Sequence, residues 1–288
     1  MKRRKRVQSM DGDANVDRSP APARERITVP LLRERKRQGE RIVTVTAYDY
    51  PSARLADRAG VDVVLVGDTV GIMALGYDTT VPVTLDDMLH HVRSVRRGLK
   101  WALLLADLPF GTYETGSDDA IRNSVRLMKE GGAQAVKIEG GAWLADTVRR
   151  MTNAGIPVVG HIGLMPQSVH LLGGHKAQGK DAQEAERILE DALALESAGA
   201  VAIVLEAIPA TLAAQITGQL AVPTIGIGAG PRCDGQVQVW HDILGIPPGK
   251  PYRHVKRYAS VGEVIESALR TYADEVRTGA FPTKENSF

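Results

Sequence analysis

At residues 61–68 the chain reads VDVVLVGD, an almost unbroken apolar run that stops on a carboxylate. Three more runs do the same: WALLLAD ends on Asp107, AVKIE on Glu139 and AIVLE on Glu206. Short runs rich in Val, Ile, Leu and Ala, without polar alternation, read as strands buried on both faces, as in a parallel sheet covered by helices. The same signature recurs at Ile42–Ala47, Pro157–His161, Pro223–Gly228 and Gln236–Trp240, which makes eight candidate strands. Helical patterns at Leu85–Arg97, Ser117–Lys129, Leu144–Asn153 and Asp181–Ala198 fall between them, where parallel strands need crossovers. Ser117, Asp118 and Asp119 are candidate helix caps, and Gly131–Gly132 with the Ala-Gly pairs at 59–60, 154–155 and 198–199 are candidate stops. Eight βα units imply a (β/α)₈ TIM barrel. A doubly wound open sheet is the alternative, because strand periodicity does not register closure. A leading helix over Arg33–Arg41 is expected on the barrel floor, and a final helix near Val261–Val276 is expected to close the domain.

In this architecture catalytic groups sit at the C-terminal ends of the strands. Asp68, Asp107, Glu139 and Glu206 all occupy such ends, and His161 ends the run VVGH. Residues i and i+2 share a strand face, so Lys137 and Glu139 point the same way. Burying both against the helix layer is costly, so they are expected in the barrel mouth. The bland reading of that pair is an internal ion pair, and of Asp68 or Asp107 a turn cap. Three acids without a His/Cys cluster suit a hard cation such as Mg²⁺, which takes one or two carboxylates and keeps water or substrate oxygens. Glu206 and His161 are each candidate general bases, His161 being equally a hydrogen-bonded core residue. The Gly-rich GIGAGPRCDGQ, residues 226–236, reads either as a phosphate nest or as a tight strand-to-loop turn.

Composition narrows the function classes. With 43% hydrophobic and 24% charged residues in 288, the chain fits one large α/β domain. The single cysteine, Cys233, rules out an internal disulfide and a cysteine zinc cage. No apolar stretch approaches the roughly 18 to 20 residues of a membrane span, and a secretory apolar core is missing, so a cytoplasmic protein without a membrane partner is expected. Lys2, Arg3, Arg4, Lys5 and Arg6 concentrate the positive charge in residues 1–26. That segment is expected to be a disordered basic arm, preceding a single catalytic domain at 27–288. The slightly acidic remainder excludes nucleic-acid binding by the domain itself.

The ordered set TAYDY (46–50), LVGDTVG (65–71), LLADLPFGTY (104–113), VKIEGG (136–141), GHIGLMPQS (160–168), VLEAIP (204–209) and GIGAGPRCDGQ resembles the 3-methyl-2-oxobutanoate (ketopantoate) hydroxymethyltransferase family. The resemblance runs from about Ile27 through the closing ENSF tail. It implies a barrel of the phosphoenolpyruvate/pyruvate-binding type that transfers a one-carbon unit from 5,10-methylenetetrahydrofolate to 3-methyl-2-oxobutanoate in pantothenate biosynthesis. It also implies Mg²⁺ at Asp68, Asp107 and Glu139, and substrate binding by Asp68, Thr69, Asp107 and Lys137. Glu206 would be the proton acceptor, His161 an orienting residue, and the assembly a homo-oligomer, a decamer in bacterial members. The sequence departs from the family pattern at Thr69, where serine is usual, at His170, in HKAQGK (175–180) and in the basic arm. Two other readings stand beside this one: a metal-independent aldolase using Lys137 as a Schiff-base nucleophile, and a non-catalytic barrel scaffold.

Overall fold

The computed structural model describes residues 24–174, 176–247 and 252–288. Eight parallel strands pair in sequence order and close on themselves, β8 against β1. They are β1 Ile42–Thr46, β2 Val63–Val66, β3 Leu103–Asp107, β4 Ala135–Glu139, β5 Val158–Gly163, β6 Ala202–Glu206, β7 Thr224–Ile227 and β8 Gly235–Gln238. Closure resolves the alternative of an open sheet in favour of the barrel. Alternation along each strand then sorts the apolar side chains into two cores. Leu65, Leu103, Leu105, Val204, Ile225 and their neighbours fill the barrel interior. Val64, Leu104, Val136, Ile138 and Ile203 face the helix layer.

Crossover helices follow six of the strands, and two were not legible from the sequence: Tyr50–Ala59 and Ala210–Gln219. The first is opened by a reciprocal cap between Asp49 and Ser52, and a Thr84–Asp87 pair does the same for Leu85–Gly98. Ser117, by contrast, is the first residue of its helix and not its cap. Gly116 holds the cap position, while Asp118 and Asp119 instead bind Arg150 and Arg122. Gly132 in the left-handed region ends the turn that follows, as expected.

Buried acids lock the opposite, N-terminal rim. Asp57 accepts backbone N–H groups from Lys100, Trp101 and Ala102 at 3.2, 2.9 and 2.8 Å, which fixes the entry to β3. Asp62 holds Val43 N at 2.9 Å and Arg35 at 2.7 Å. Removing the Asp57 carboxylate strands those donors in a buried site, so Asp57→Ala is expected to cost about 3 kcal/mol in chemical denaturation, and Asp57→Asn less. A loss below about 0.5 kcal/mol would contradict this account of the rim.

Two expectations are corrected, and one crossover departs from the helical rule. The leading helix spans Val29–Gln38, earlier than Arg33–Arg41, because Pro30 starts it and Gly39 in the left-handed region stops it; Val29 and Leu32 plug the barrel floor. The connection from β7 to β8 contains no helix: the Gly-rich segment runs from the mouth back to the rim, burying Ala229 and Cys233. The final helix, Val261–Thr278, buries none of its residues and does not close the domain. Val264, Leu269 and Tyr272 on it are 67, 60 and 55% exposed, and Val43 on β1 is half exposed. The bulk of the basic arm, residues 1–23, lies outside the described residues. Arg24 donates to the carbonyls of Asp57 and Val61. Among the described residues, no helix is long and apolar enough to cross a membrane.

Candidate active site

Strand register gathers the predicted residues. Asp107, Glu139 and Glu206 are the last residues of β3, β4 and β6, and Asp68 lies two positions beyond β2. Asp107 pairs in register with Lys137, and Glu139 with His161. Lys137 and Glu139 both point into the barrel, with Val136 and Ile138 turned to the helices, as the i, i+2 argument requires. Asp68, Thr69, Asp107, Lys137, Glu139, His161 and Glu206 all line one internal cavity of about 80 Å³. None of residues 228–236 lines it, so the Gly-rich segment acts as a crossover and not as a phosphate nest in this site.

The contacts form a chain across the mouth. Lys137 Nζ lies 3.1 Å from Asp107 Oδ1 and 3.5 Å from Glu139 Oε1. The first is an ion pair by distance, yet no hydrogen bond is aligned on that Asp107 oxygen. Asp107 Oδ2 accepts the backbone N–H of Asp68 at 3.1 Å. His161 bridges two acids, Nδ1 standing 3.2 Å from Glu139 Oε1 and Nε2 3.3 Å from Glu206 Oε2. The second approach is again an ion-pair distance without hydrogen-bond alignment. Glu206 is the most accessible of the acids, its side chain 16% exposed against 3% for Asp107 and Glu139. Its placement is strained: Ala207, the next residue, has φ 48°, a left-handed conformation that disfavours non-glycine residues. Gly163 packs against it so closely that a Cβ there would meet the Glu206 carbonyl oxygen at 2.3 Å.

Charge in this sealed space is unbalanced. Burial, with Asp107 and Glu139 nearby, pushes the Asp68 carboxyl well above the usual range. Burial likewise raises Asp107, though Lys137 opposes it. For Glu139 burial is outweighed by Lys137, His161 and the Gln167 N–H, which hold it at about 2. Burial and Lys137 work against His161, but its two glutamate neighbours win and raise it to about 9. Lys137 is kept protonated, since Asp107, Glu139 and Asp68 together exceed its desolvation. More carboxylates than cations in a desolvated pocket is an arrangement suited to an added cation.

The donor set fits a hard divalent ion in a specific way. Among the described residues no three His, Cys, Asp or Glu side chains by themselves form a cage that could hold a metal. Asp107 Oδ1 has no aligned donor, and one oxygen of Asp68 is free of the Gln167 contact. Both oxygens of Glu139 are engaged, Oε1 by Lys137 and His161 and Oε2 by the Gln167 N–H at 3.0 Å. Asp68 and Asp107 therefore have oxygens to offer directly, and Glu139 is better placed to act through water, which matches the partly hydrated coordination of Mg²⁺.

Three residues escaped the sequence reading. Tyr48 donates or accepts at Thr69 Oγ1 over 2.6 Å and stacks on His241 at 5.6 Å between ring centres. Thr69 thus keeps the hydroxyl contact that the usual serine would offer. Tyr113 and Gln167 are buried beside Glu139 and Asp68. All three stood inside the quoted motifs, but as neutral side chains in loops they carried no charge or periodicity signal. His170 is exposed and outside the cavity. In the 175–180 loop, Gln178 N donates to the Ala207 carbonyl at 3.0 Å, beside Glu206, and His175 lies outside the described residues.

A closed barrel with acids, a lysine and an imidazole gathered in its C-terminal mouth has the (β/α)₈ architecture and the site position of barrel enzymes. Solved structures of that fold align over most of their length: a phosphonopyruvate hydrolase in complex with oxalate and Mg²⁺ (TM-score 0.59, 14% identity, 90% of this chain and 93% of that one) and 2,3-dimethylmalate lyase (TM-score 0.56, 17% identity, 90% and 91%). Within this fold the chain belongs to the ketopantoate hydroxymethyltransferase family, whose model matches residues 26–284. It is 57% identical over 262 residues to the 3-methyl-2-oxobutanoate hydroxymethyltransferase of Gluconacetobacter diazotrophicus, covering 91% of this chain and 94% of the relative. It is 54% identical to that of Carboxydothermus hydrogenoformans over 264 residues, covering 92% and 96%.

Proposed function

We propose that this enzyme transfers a hydroxymethyl group to 3-methyl-2-oxobutanoate, with 5,10-methylenetetrahydrofolate as the one-carbon donor and water supplying the hydroxyl oxygen, to give 2-dehydropantoate and tetrahydrofolate in pantothenate biosynthesis. The observation that carries this reading is a lysine and four acids converging on one cavity in a chain more than half identical to relatives that bear the enzyme's name. Asp68 and Asp107 would hold Mg²⁺, with Glu139 behind a water. A Mg²⁺ ion held by these residues would supply Lewis-acid polarisation of a 2-oxo acid's oxygens.

The chain's own residues account for the rest. Lys137, permanently charged between Asp107 and Glu139, binds the oxo-acid carboxylate or the oxygen on which negative charge develops. Glu206, accessible from the cavity, takes the proton from C3. His161 lies at ion-pair distance from both Glu206 and Glu139 and so couples the two carboxylates electrostatically. Leu65, Val204 and Ile227 wall the cavity with hydrocarbon, so the carbanion meets the one-carbon carrier and not bulk water. The exposed apolar residues of Val261–Thr278 support assembly as a homo-oligomer, a decamer by family expectation.

Turnover of 3-methyl-2-oxobutanoate with methylenetetrahydrofolate tests the reading. Chelation followed by dialysis is expected to lower the rate at least about a hundredfold, with Mg²⁺ restoring it. Full activity in metal-free protein would remove the metal from the scheme, and no turnover with this donor pair would overturn the function.

A further inference from the structure

Gln167 sits in the single turn Pro166–Ser168 after β5, only 4% exposed, and uses every polar group of its side chain. Nε2 donates to Asp68 Oδ2 at 2.8 Å and to the Leu108 carbonyl at 3.0 Å. Oε1 faces the Tyr113 hydroxyl at 2.6 Å, and the backbone N–H donates to Glu139 Oε2 at 3.0 Å. Tyr113 is itself buried, and its oxygen receives the Glu139 backbone N–H at 3.2 Å. The Tyr113 hydroxyl has two acceptors for its own proton, Gln167 Oε1 at 2.6 Å and the Glu139 carbonyl at 3.1 Å, and the amide oxygen is the nearer.

This wiring leaves the amide one orientation. Both groups facing Nε2 are acceptors, and the group facing Oε1 is a donor, so a flipped amide would set oxygen against the Asp68 carboxylate. The amide links the loops after β2 and β3 to the turn after β5 that carries it, and the backbone N–H of the same residue ties in Glu139 at the end of β4. It also commits Asp68 Oδ2, so the other oxygen is the one available to the cavity that Asp68 lines. A carboxylate at a strand end without such a partner would sample rotamers, and preorganised geometry is what makes a site bind its ligand without paying to order it.

We propose that Gln167, oriented by Tyr113, is a positioning residue for 2-oxo-acid binding: it sets the rotamer of Asp68 and holds the Glu139 loop in register with it. The inference rests on the proposed function for the identity of the ligand only. Gln167→Met keeps the length of the side chain and removes the amide, and Tyr113→Phe removes one hydroxyl while keeping the ring. In the full-length enzyme with saturating Mg²⁺, the Kd for 3-methyl-2-oxobutanoate by calorimetry and its KM are expected to rise about thirtyfold in Gln167→Met, as for a lost hydrogen bond to a charged group. In Tyr113→Phe they are expected to rise about fivefold. The KM for methylenetetrahydrofolate is expected to stay within about twofold in both, since the contacts of Gln167 end on Asp68 and Glu139, which the proposed function assigns to Mg²⁺ and the oxo acid. Tyr113→Phe/Gln167→Met should be no weaker than Gln167→Met alone, because Tyr113 acts through the amide.

Oxo-acid binding within about threefold of wild type in Gln167→Met would overturn the proposal. Equal rises in both KM values would do so too, since they mark general damage to the fold. Should Gln167→Met not fold, an unchanged oxo-acid Kd in Tyr113→Phe would overturn it. A wild-type protein that binds the oxo acid without turning it over defeats the functional reading alone, and the Kd comparison still decides the role of Gln167.

Discussion

Glu206→Gln is expected to bind 3-methyl-2-oxobutanoate much as the wild type does and to lose nearly all exchange of its C3 proton for deuterium. The reasoning is geometric. Glu206 ends β6 beside the cavity, is the most accessible of the four acids, and lies 3.3 Å from His161 Nε2. The substitution preserves shape and removes only basicity, so the loss should fall in the range of a general base, about 10² to 10⁴-fold. NMR of the oxo acid in D₂O without folate isolates that step from one-carbon transfer. Exchange at the wild-type rate would exclude Glu206 as the proton acceptor.

Lys137→Met should be the most damaging single change to both binding and stability. Lys137 is buried among Asp107, Glu139 and Asp68, and removing one partner of a buried ion pair leaves its acids uncompensated at a cost of about 3 to 5 kcal/mol. Denaturant titration reads that loss, while oxo-acid binding should fall beyond detection. The same surroundings bear on the Schiff-base alternative. A lysine used as a nucleophile needs its ammonium destabilised, whereas here two carboxylates lie within 3.5 Å and the proton is held more firmly than in water. Borohydride treatment of wild-type enzyme with the oxo acid is therefore expected to leave Lys137 unmodified by mass spectrometry. A reduced adduct at Lys137 would reinstate the covalent route.

Much of the barrel was legible because its strands are buried on both faces and so write themselves as continuous apolar runs. Ala135–Glu139 and Ala202–Glu206 have the boundaries that the sequence suggests. Tyr50–Ala59 and Ala210–Gln219 were missed: the first follows β1 so closely that its cap, Asp49, reads as part of the motif TAYDY, and the second mixes small and apolar residues with little polar contrast. The crossover from β7 to β8 departs from the rule that parallel strands need a helix between them. Small residues let an extended segment lie directly on the barrel, with Gly235 so close to the Ile42 carbonyl that a Cβ would sit 2.4 Å from it.

Charge at the strand ends was visible in one dimension because a carboxylate after an apolar run has few places to go except the barrel mouth. Asp68, Asp107, Lys137, Glu139, His161 and Glu206 could accordingly be named before any coordinate was known. Which of them touch could not. Whether Lys137 favours Asp107 or Glu139, that His161 spans two glutamates, and that Glu139 has both oxygens occupied depend on strand stagger and loop packing around a closed ring. The neutral groups Tyr113 and Gln167 emerge only there as well, since a hydrogen bond has direction and their partners lie 26 to 99 residues apart along the chain. Composition and periodicity thus carry burial, which each residue expresses on its own. Directional contacts belong to pairs, and pairs are chosen only when the barrel closes.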